Sequence, residues 1–184
     1  MGMYSASKHA VKGFTDSLRM ELEHDGAPVS VTLIKPGSIN TPFTRHAKNY
    51  MEREPEFPPP VYAPEIVAKT ILHCCETPQR DMLVGGGAKM IATSGHFAPR
   101  LTDRIMEGPM YEMEKKDRPS EARRRDGLFR PSEDLSQRGD YEGITRERSL
   151  YTATARHPWW TGAMLVGAGL AAAAVLGVMG GDED

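Results

Sequence analysis

Tyr4 and Lys8 stand four residues apart at the start of an apolar-periodic stretch. Four residues are about one helical turn, so both side chains project from one face of a helix into the same space. A phenol with a pKa of ~10 is a poor acid/base catalyst at neutral pH, and a neighbouring ammonium stabilises its phenolate and brings that value toward the working range. The pair is therefore matched to proton exchange with an alcohol or a carbonyl. Taken alone, the spacing also fits an exposed pair with no chemical role.

A second candidate is Pro36-Gly37-Ser38-Ile39-Asn40-Thr41, which follows a β-branched run. Ligands of open α/β sheets sit beyond the carboxyl ends of strands, where Gly37 lets backbone come close and Thr41 offers a hydroxyl. Thr41 could equally cap a short helix in the loop that follows. The glycines 85–87, with Lys89 after them, lack the spacing of a phosphate-binding loop and read as a turn after an edge strand. Cys74 and Cys75 are adjacent, a poor geometry for a disulfide, and have no partners at metal spacing; the six histidines are scattered. No metal is assigned, and a reducing compartment is the default.

These groups need elements to hold them. Ala6, Ala10, Val11, Phe14, Leu18 and Leu22 predict an amphipathic helix over 5–24, closed by Gly26 and Pro28. Residues 29–34 predict a strand with the loop at its carboxyl end. Residues 41–64 are broken by Pro58, Pro59 and Pro60; 44–60 is expected to be a lid over the substrate, with Tyr50 and Phe57 hinting at an apolar one. Pro64 opens a second helix with Ile66, Val67, Ile71 and Leu72 on its buried side, and 82–84 predict a second strand. Residues 89–113 carry Ile91, Phe97, Leu101, Ile105 and Met106 at helical spacing, as if packed on the end of a sheet. From 112 to 149 charges dominate, which reads as a solvated linker. No internal repeat is visible.

The 184 residues carry 23 basic and 25 acidic side chains, a net charge of −2, which excludes an electrostatically driven nucleic-acid binder. Mean hydropathy is −0.48, yet 159–181 holds no charge in 23 positions. As a helix that run would be about 34 Å long, enough for a bilayer core of roughly 30 Å. Trp159 and Trp160 suit an interfacial belt, and Ala163, Gly167 and Ala171 form a small-residue face. Arg146, Arg148 and Arg156 precede the run while only acids follow, which predicts a carboxyl-terminal anchor with the rest of the chain cytoplasmic. The alternatives are a soluble cytoplasmic protein with this helix buried on the domain, or a disordered tail. Arg123, Arg124 and Arg125 could touch anionic lipid or simply be solvated. The first residues form no signal peptide, and Ala6 replaces the Ser or Thr that myristoylation wants.

Tyr4-Ser5-Ala6-Ser7-Lys8, the helix beyond it, the strand and the loop Pro36 to Thr41 together resemble the short-chain dehydrogenase/reductase family over residues 2–110. The resemblance implies an α/β fold, the carboxyl-terminal half of a Rossmann-type doubly wound parallel sheet that binds NAD or NADP, with the choice open. It implies that Tyr4 is the catalytic acid/base and that Lys8 lowers its pKa and holds the nicotinamide ribose. Pro36, Gly37, Ile39 and Thr41 would contact the nicotinamide, and the reaction would interconvert a small-molecule alcohol and a ketone or aldehyde. The family's Gly-rich turn and catalytic serine are expected before Tyr4, where only three residues stand, so the chain is expected to begin in mid-site. The expected organisation is 1–110 half-domain, 111–157 flexible charged linker, 158–181 transmembrane helix and 182–184 acidic tail. In the family the first helix contributes to a subunit interface, so a homo-oligomer is expected. The rival reading is a truncated or inactive fragment acting only as a membrane-bound binding or assembly partner.

Overall fold

The computed structural model describes residues 2–120, 127, 131, 135–159, 161–163 and 166–167. Most of the predicted span 158–181, the tail 182–184 and Arg123, Arg124 and Arg125 lie outside the described residues. Among the described residues no helix is long and apolar enough to cross a membrane.

The first element is the expected helix, α1 (Gly2–His24), which ends where Gly26 takes a positive φ of 63°. Its apolar stripe does not enter a core: Val11 and Phe14 are 53% and 69% exposed, and Arg19 is the buried residue of the helix. The Arg19 guanidinium donates to Val31 O (3.2 Å), Arg80 O (3.1 Å) and Asp16 Oδ1 (2.9 Å), so α1 is pinned by a polar anchor near its carboxyl end.

Strand β1 (Leu33–Pro36) pairs in parallel with β4 (Asp81–Val84), Leu33 opposite Asp81 and Pro36 opposite Val84. The predicted strand began at residue 29, and the difference has a polar cause. Val31 O is taken by Arg19, Thr32 Oγ1 donates to Gln79 O (2.6 Å), and Val29 N turns back to Ala27 O (2.8 Å), so 29–32 seam the helix to the turn before β4.

Residues 44–60 are less irregular than expected. After α2 (Phe43–His46), strand β2 (Arg53–Pro55) pairs antiparallel with β5 (Lys115–Pro119), and Glu54 is buried. Strand β3 (Val61–Tyr62) pairs in parallel with β6 (Thr145–Arg146), and Ile39 bridges to Tyr62. Helix α3 (Pro64–Glu76) starts on Pro64 as the sequence predicts, but its buried face is Ile66, Thr70 and Cys74, while Ile71 and Leu72 are exposed. Thr70 can be buried because its hydroxyl donates to Ile66 O (2.8 Å), leaving no unpaired polar atom.

The described chain is thus mixed α/β with small two-stranded sheets. Its core gathers Tyr62, Ile66 and Val84 with Ile34, Ile39 and Val67 packed against them. Helices α4 (Gly86–Phe97) and α5 (Pro99–Ile105), a π-helical turn (Met106–Met110) and α6 (Tyr111–Met113) follow β4. Their apolar residues Ile91, Phe97, Leu101, Ile105 and Met106 are exposed, and contact with the sheet end is made instead by the start of α4, where Ala88 lies against Gly37.

The expected linker 111–157 also needs correction, since β5, β6 and α7 (Leu150–Arg156) lie within it and α7 inserts a fully buried Thr152. Few aliphatic residues are required because the attachments are polar. Ser149 caps α7 by accepting from Thr152 N (3.2 Å), and Arg138 grips Glu65 and Glu147 at 2.8 Å each.

Asp16 receives Lys12 (2.7 Å) as well as Arg19 and Arg80 (2.9 Å each). The Lys12 hydrogen bond, then that of Arg19, holds its carboxyl below the usual 3.8. A folded-state pKa lowered in this way contributes stability above the ordinary Asp value, and the contribution is lost as pH falls through the folded one. Asp16→Asn should therefore be less stable than the wild type at pH 7, with urea midpoints that converge as the pH is taken below the ordinary Asp range. Arg19→Met, which keeps the stem and removes the three hydrogen bonds that the guanidinium donates, should cost about 2 kcal/mol in the same titration.

Candidate active site

Tyr4 and Lys8 meet as their spacing requires. The Lys8 ammonium lies over the Tyr4 ring, 5.3 Å from its centroid, and the Tyr4 ring packs at 6.0 Å and 48° against Phe43 of α2. Phe43 is two residues beyond Thr41, so α1 touches the chain just where the loop ends. The Tyr4 and Thr41 hydroxyls and the Lys8 ammonium have no hydrogen-bond partner among the described residues.

The loop itself is held by backbone. Gly37 N donates to Val84 O (2.9 Å), and a Cβ on Gly37 would stand 3.2 Å from Ala88 Cβ, so the close approach made there is to the start of α4. Pro36 is the last paired residue of β1, and Ile39 faces the core. Ser38 Oγ donates to Pro58 O (2.6 Å), tying the loop to the proline run. A short helix does follow Thr41, but Pro42 occupies its cap position and no side chain caps it, which leaves the Thr41 hydroxyl out of that role.

The glycines 85–87 form a helix start rather than a simple turn. Gly85 has φ +98°, and a Cβ there would meet the Tyr62 ring at 2.7 Å; at Gly87 it would meet Pro60 at 3.0 Å. Gly85 N donates to Thr152 Oγ1 (2.9 Å) and Gly86 N to Tyr62 OH (3.1 Å). Amides already met by the chain's own hydroxyls make no cradle for a phosphate. Burial pushes the Cys74 thiol up, and Cys75 is exposed. Among the described residues no group of three or more His, Cys, Asp or Glu could hold a metal.

Four residues that shape this site were not singled out from the sequence: Arg19, Asn40, Tyr62 and Thr152. For Thr152 a signal existed, because Ser149 immediately before Leu150-Tyr151-Thr152 is a helix start of the Ser-cap kind. Tyr62 sat in a proline-rich stretch whose only strand cue was Val61-Tyr62.

The family model for short chain dehydrogenase matches residues 1–52. The uncharacterized oxidoreductase YxnA of Bacillus subtilis is 44% identical over 165 residues, 89% of this chain and 46% of that protein. The uncharacterized oxidoreductase YbbO of Escherichia coli is 33% identical over 115 residues, 58% of this chain and 42% of that protein. A dehydrogenase/reductase SDR family protein 7-like of Drosophila melanogaster is 30% identical over 123 residues, 64% of this chain and 37% of that protein. By these matches the chain is similar to short-chain dehydrogenases/reductases, and it spans less than half the length of these curated relatives. No solved structure matches it.

Gly85→Ala should destabilise the fold by about 2 kcal/mol, through the positive φ and the Tyr62 ring together, whereas Lys89→Ala should leave the thermal midpoint unchanged. Equal midpoints for Gly85→Ala and the wild type would contradict the packing described.

Proposed function

We propose that this chain supplies the acid/base helix and the nicotinamide-side loop of an NAD(P)-dependent oxidoreductase that interconverts an alcohol and a carbonyl. The observation that carries the reading is the meeting of Tyr4, Lys8 and Phe43 at the end of the loop that begins at Pro36. The relatives whose names say oxidoreductase support the reaction class.

The groups present suit the nicotinamide end of NAD or NADP: an ammonium and two hydroxyls with no hydrogen-bond partners among the described residues, beside a loop of fixed backbone. When bound, the nicotinamide gives or accepts the hydride. Tyr4 donates its hydroxyl proton to the carbonyl oxygen in reduction and accepts the alcohol proton in oxidation. Lys8 stabilises the phenolate and hydrogen-bonds the ribose. With the Ile39 side chain turned to the core, it is the backbone of Pro36, Gly37 and Ile39 that would wall the nicotinamide, and Thr41 would hydrogen-bond its carboxamide. Of the two aromatics expected to face the substrate, Tyr50 is 87% exposed while Phe57 packs edge-on against Tyr141 at 6.5 Å, so Tyr50 is the better candidate for an apolar substrate.

The wider reading follows the same family pattern. The two parallel strands belong to a doubly wound Rossmann sheet, and the exposed face of α1 serves association between subunits. The uncharged run 159–181 anchors the protein in a membrane with the catalytic part in the cytoplasm, a reading that rests on the sequence pattern alone.

Two measurements test this. In the whole natural reading frame that contains this chain, Tyr4→Phe should abolish oxidation of NADH or NADPH with a carbonyl panel while leaving cofactor binding by fluorescence intact; undiminished turnover refutes the assigned role. Turnover absent from the wild type, with the protein still assembling on membranes, would favour the binding-partner reading instead. Carbonate-washed membranes should retain the protein, and its release into the supernatant would sink the anchor.

A further inference from the structure

Asn40 is 6% exposed, and it engages neighbours with all four of its polar groups. Its backbone N donates to Tyr62 O (2.9 Å) and its backbone O accepts from Gly139 N (3.2 Å). Its side-chain Nδ2 donates to Thr145 Oγ1 (3.0 Å), and Oδ1 accepts from Tyr141 N at a longer 3.4 Å. Three of the four partners lie in the stretch 139–145, about a hundred residues away in sequence and beyond the 1–52 matched by the family model.

The fit is close as well as bonded. A Cβ on Gly139 would stand 2.5 Å from Thr41 O and 2.8 Å from Asn40 Oδ1, so that segment lies directly on the loop backbone. The segment is itself fixed at both ends. Arg138 bridges Glu65 and Glu147, and Thr145 pairs with Val61 in the β3–β6 ladder. An amide side chain suits the junction because it offers a donor and an acceptor at once.

Asn40 lies between Ile39 and Thr41, so whatever sets its position sets theirs. We propose that Asn40 is a positioning residue through which the carboxyl-terminal segment 138–146 fixes the loop that presents the Ile39 backbone and the Thr41 hydroxyl to the nicotinamide. The claim rests on the cofactor reading above, and its test separates the two.

Thr145→Val, a β-branched replacement in a strand, removes the hydroxyl that Asn40 meets and keeps the shape. In the whole protein it should raise the fluorescence-measured Kd for NADH or NADPH, and the cofactor KM, about three- to tenfold, with kcat at saturating cofactor within about twofold. Asn40→Asp should bind nearly as the wild type, because the Thr145 hydroxyl can turn to donate to the new oxygen. Combining Asn40→Asp with Thr145→Val should then weaken binding more than either change alone. Wild-type cofactor affinity in Thr145→Val would overturn the proposal. Amide exchange of residues 37–46 provides an arm that needs no cofactor: it should quicken in Thr145→Val, and unchanged exchange would overturn the positioning role by itself. A wild type that binds neither NADH nor NADPH would overturn the cofactor reading, and the exchange arm would still decide whether 138–146 holds the loop.

Discussion

At the carboxyl end of β4 the backbone must swing through a left-handed Gly85 into α4, and that turn presents two amides to the interior. An unpaired buried amide costs about 1–3 kcal/mol, so hydroxyls must reach both. Thr152 supplies one from α7 and Tyr62 the other from β3. The demand then propagates. Tyr62 can deliver its hydroxyl only if β3 is fixed, and its backbone is held by Ser38 O and Asn40 N, which are loop atoms. Thr152 can reach only if α7 is docked, and the segment leading to α7 is held by Asn40 and Arg138. Satisfying one turn thus ties together the sheet end, the candidate cofactor loop, the proline run and the carboxyl-terminal helix.

That dependence explains which parts were legible in the sequence. The helix carrying Tyr4 and Lys8 was, because apolar period and i,i+4 geometry are local properties; so were the start of α3 at Pro64 and the strand–loop order ending at Thr41. Long-range polar bonds are not periodic, and they decided the rest. Residues 29–32 have the composition of a strand, but Arg19 and Gln79 claim their polar groups. Ile71 and Leu72 look like core, yet Thr70 and Cys74 occupy that side because a hydroxyl returned to Ile66 O can be buried without penalty. The stretch 111–157 lacks aliphatic residues and reads as a linker, although a few well-placed hydroxyls, amides and ion pairs dock parts of it.

The candidate site follows the same division. The proximity of Tyr4 and Lys8 was readable, being one helical turn, and so was the loop, from its glycine and its place after a strand. The contact that joins them, Tyr4 on Phe43, was not, because it depends on how α1 is aimed rather than on any local pattern. Family resemblance assigned roles to the loop residues, but only the fold revealed that their neighbour Asn40 binds them to the distant end of the chain.

The aim of α1 is the less constrained half of that arrangement. Its buried anchor, Arg19, lies fifteen residues beyond Tyr4, which is about 22 Å of helix at ~1.5 Å per residue. A small tilt about such an anchor moves the phenol by several times the displacement at the pivot, whereas proton transfer tolerates errors of only a few tenths of an ångström. The ring contact with Phe43 resists that tilt from one side. Val11 and Phe14, more than half exposed along the middle of the lever, offer the other point of support, and their burial by a further surface would fix the helix between anchor and phenol. The loop is therefore held by this chain's own hydrogen bonds, while the aim of the proposed acid/base rests on the Arg19 anchor and the Phe43 contact.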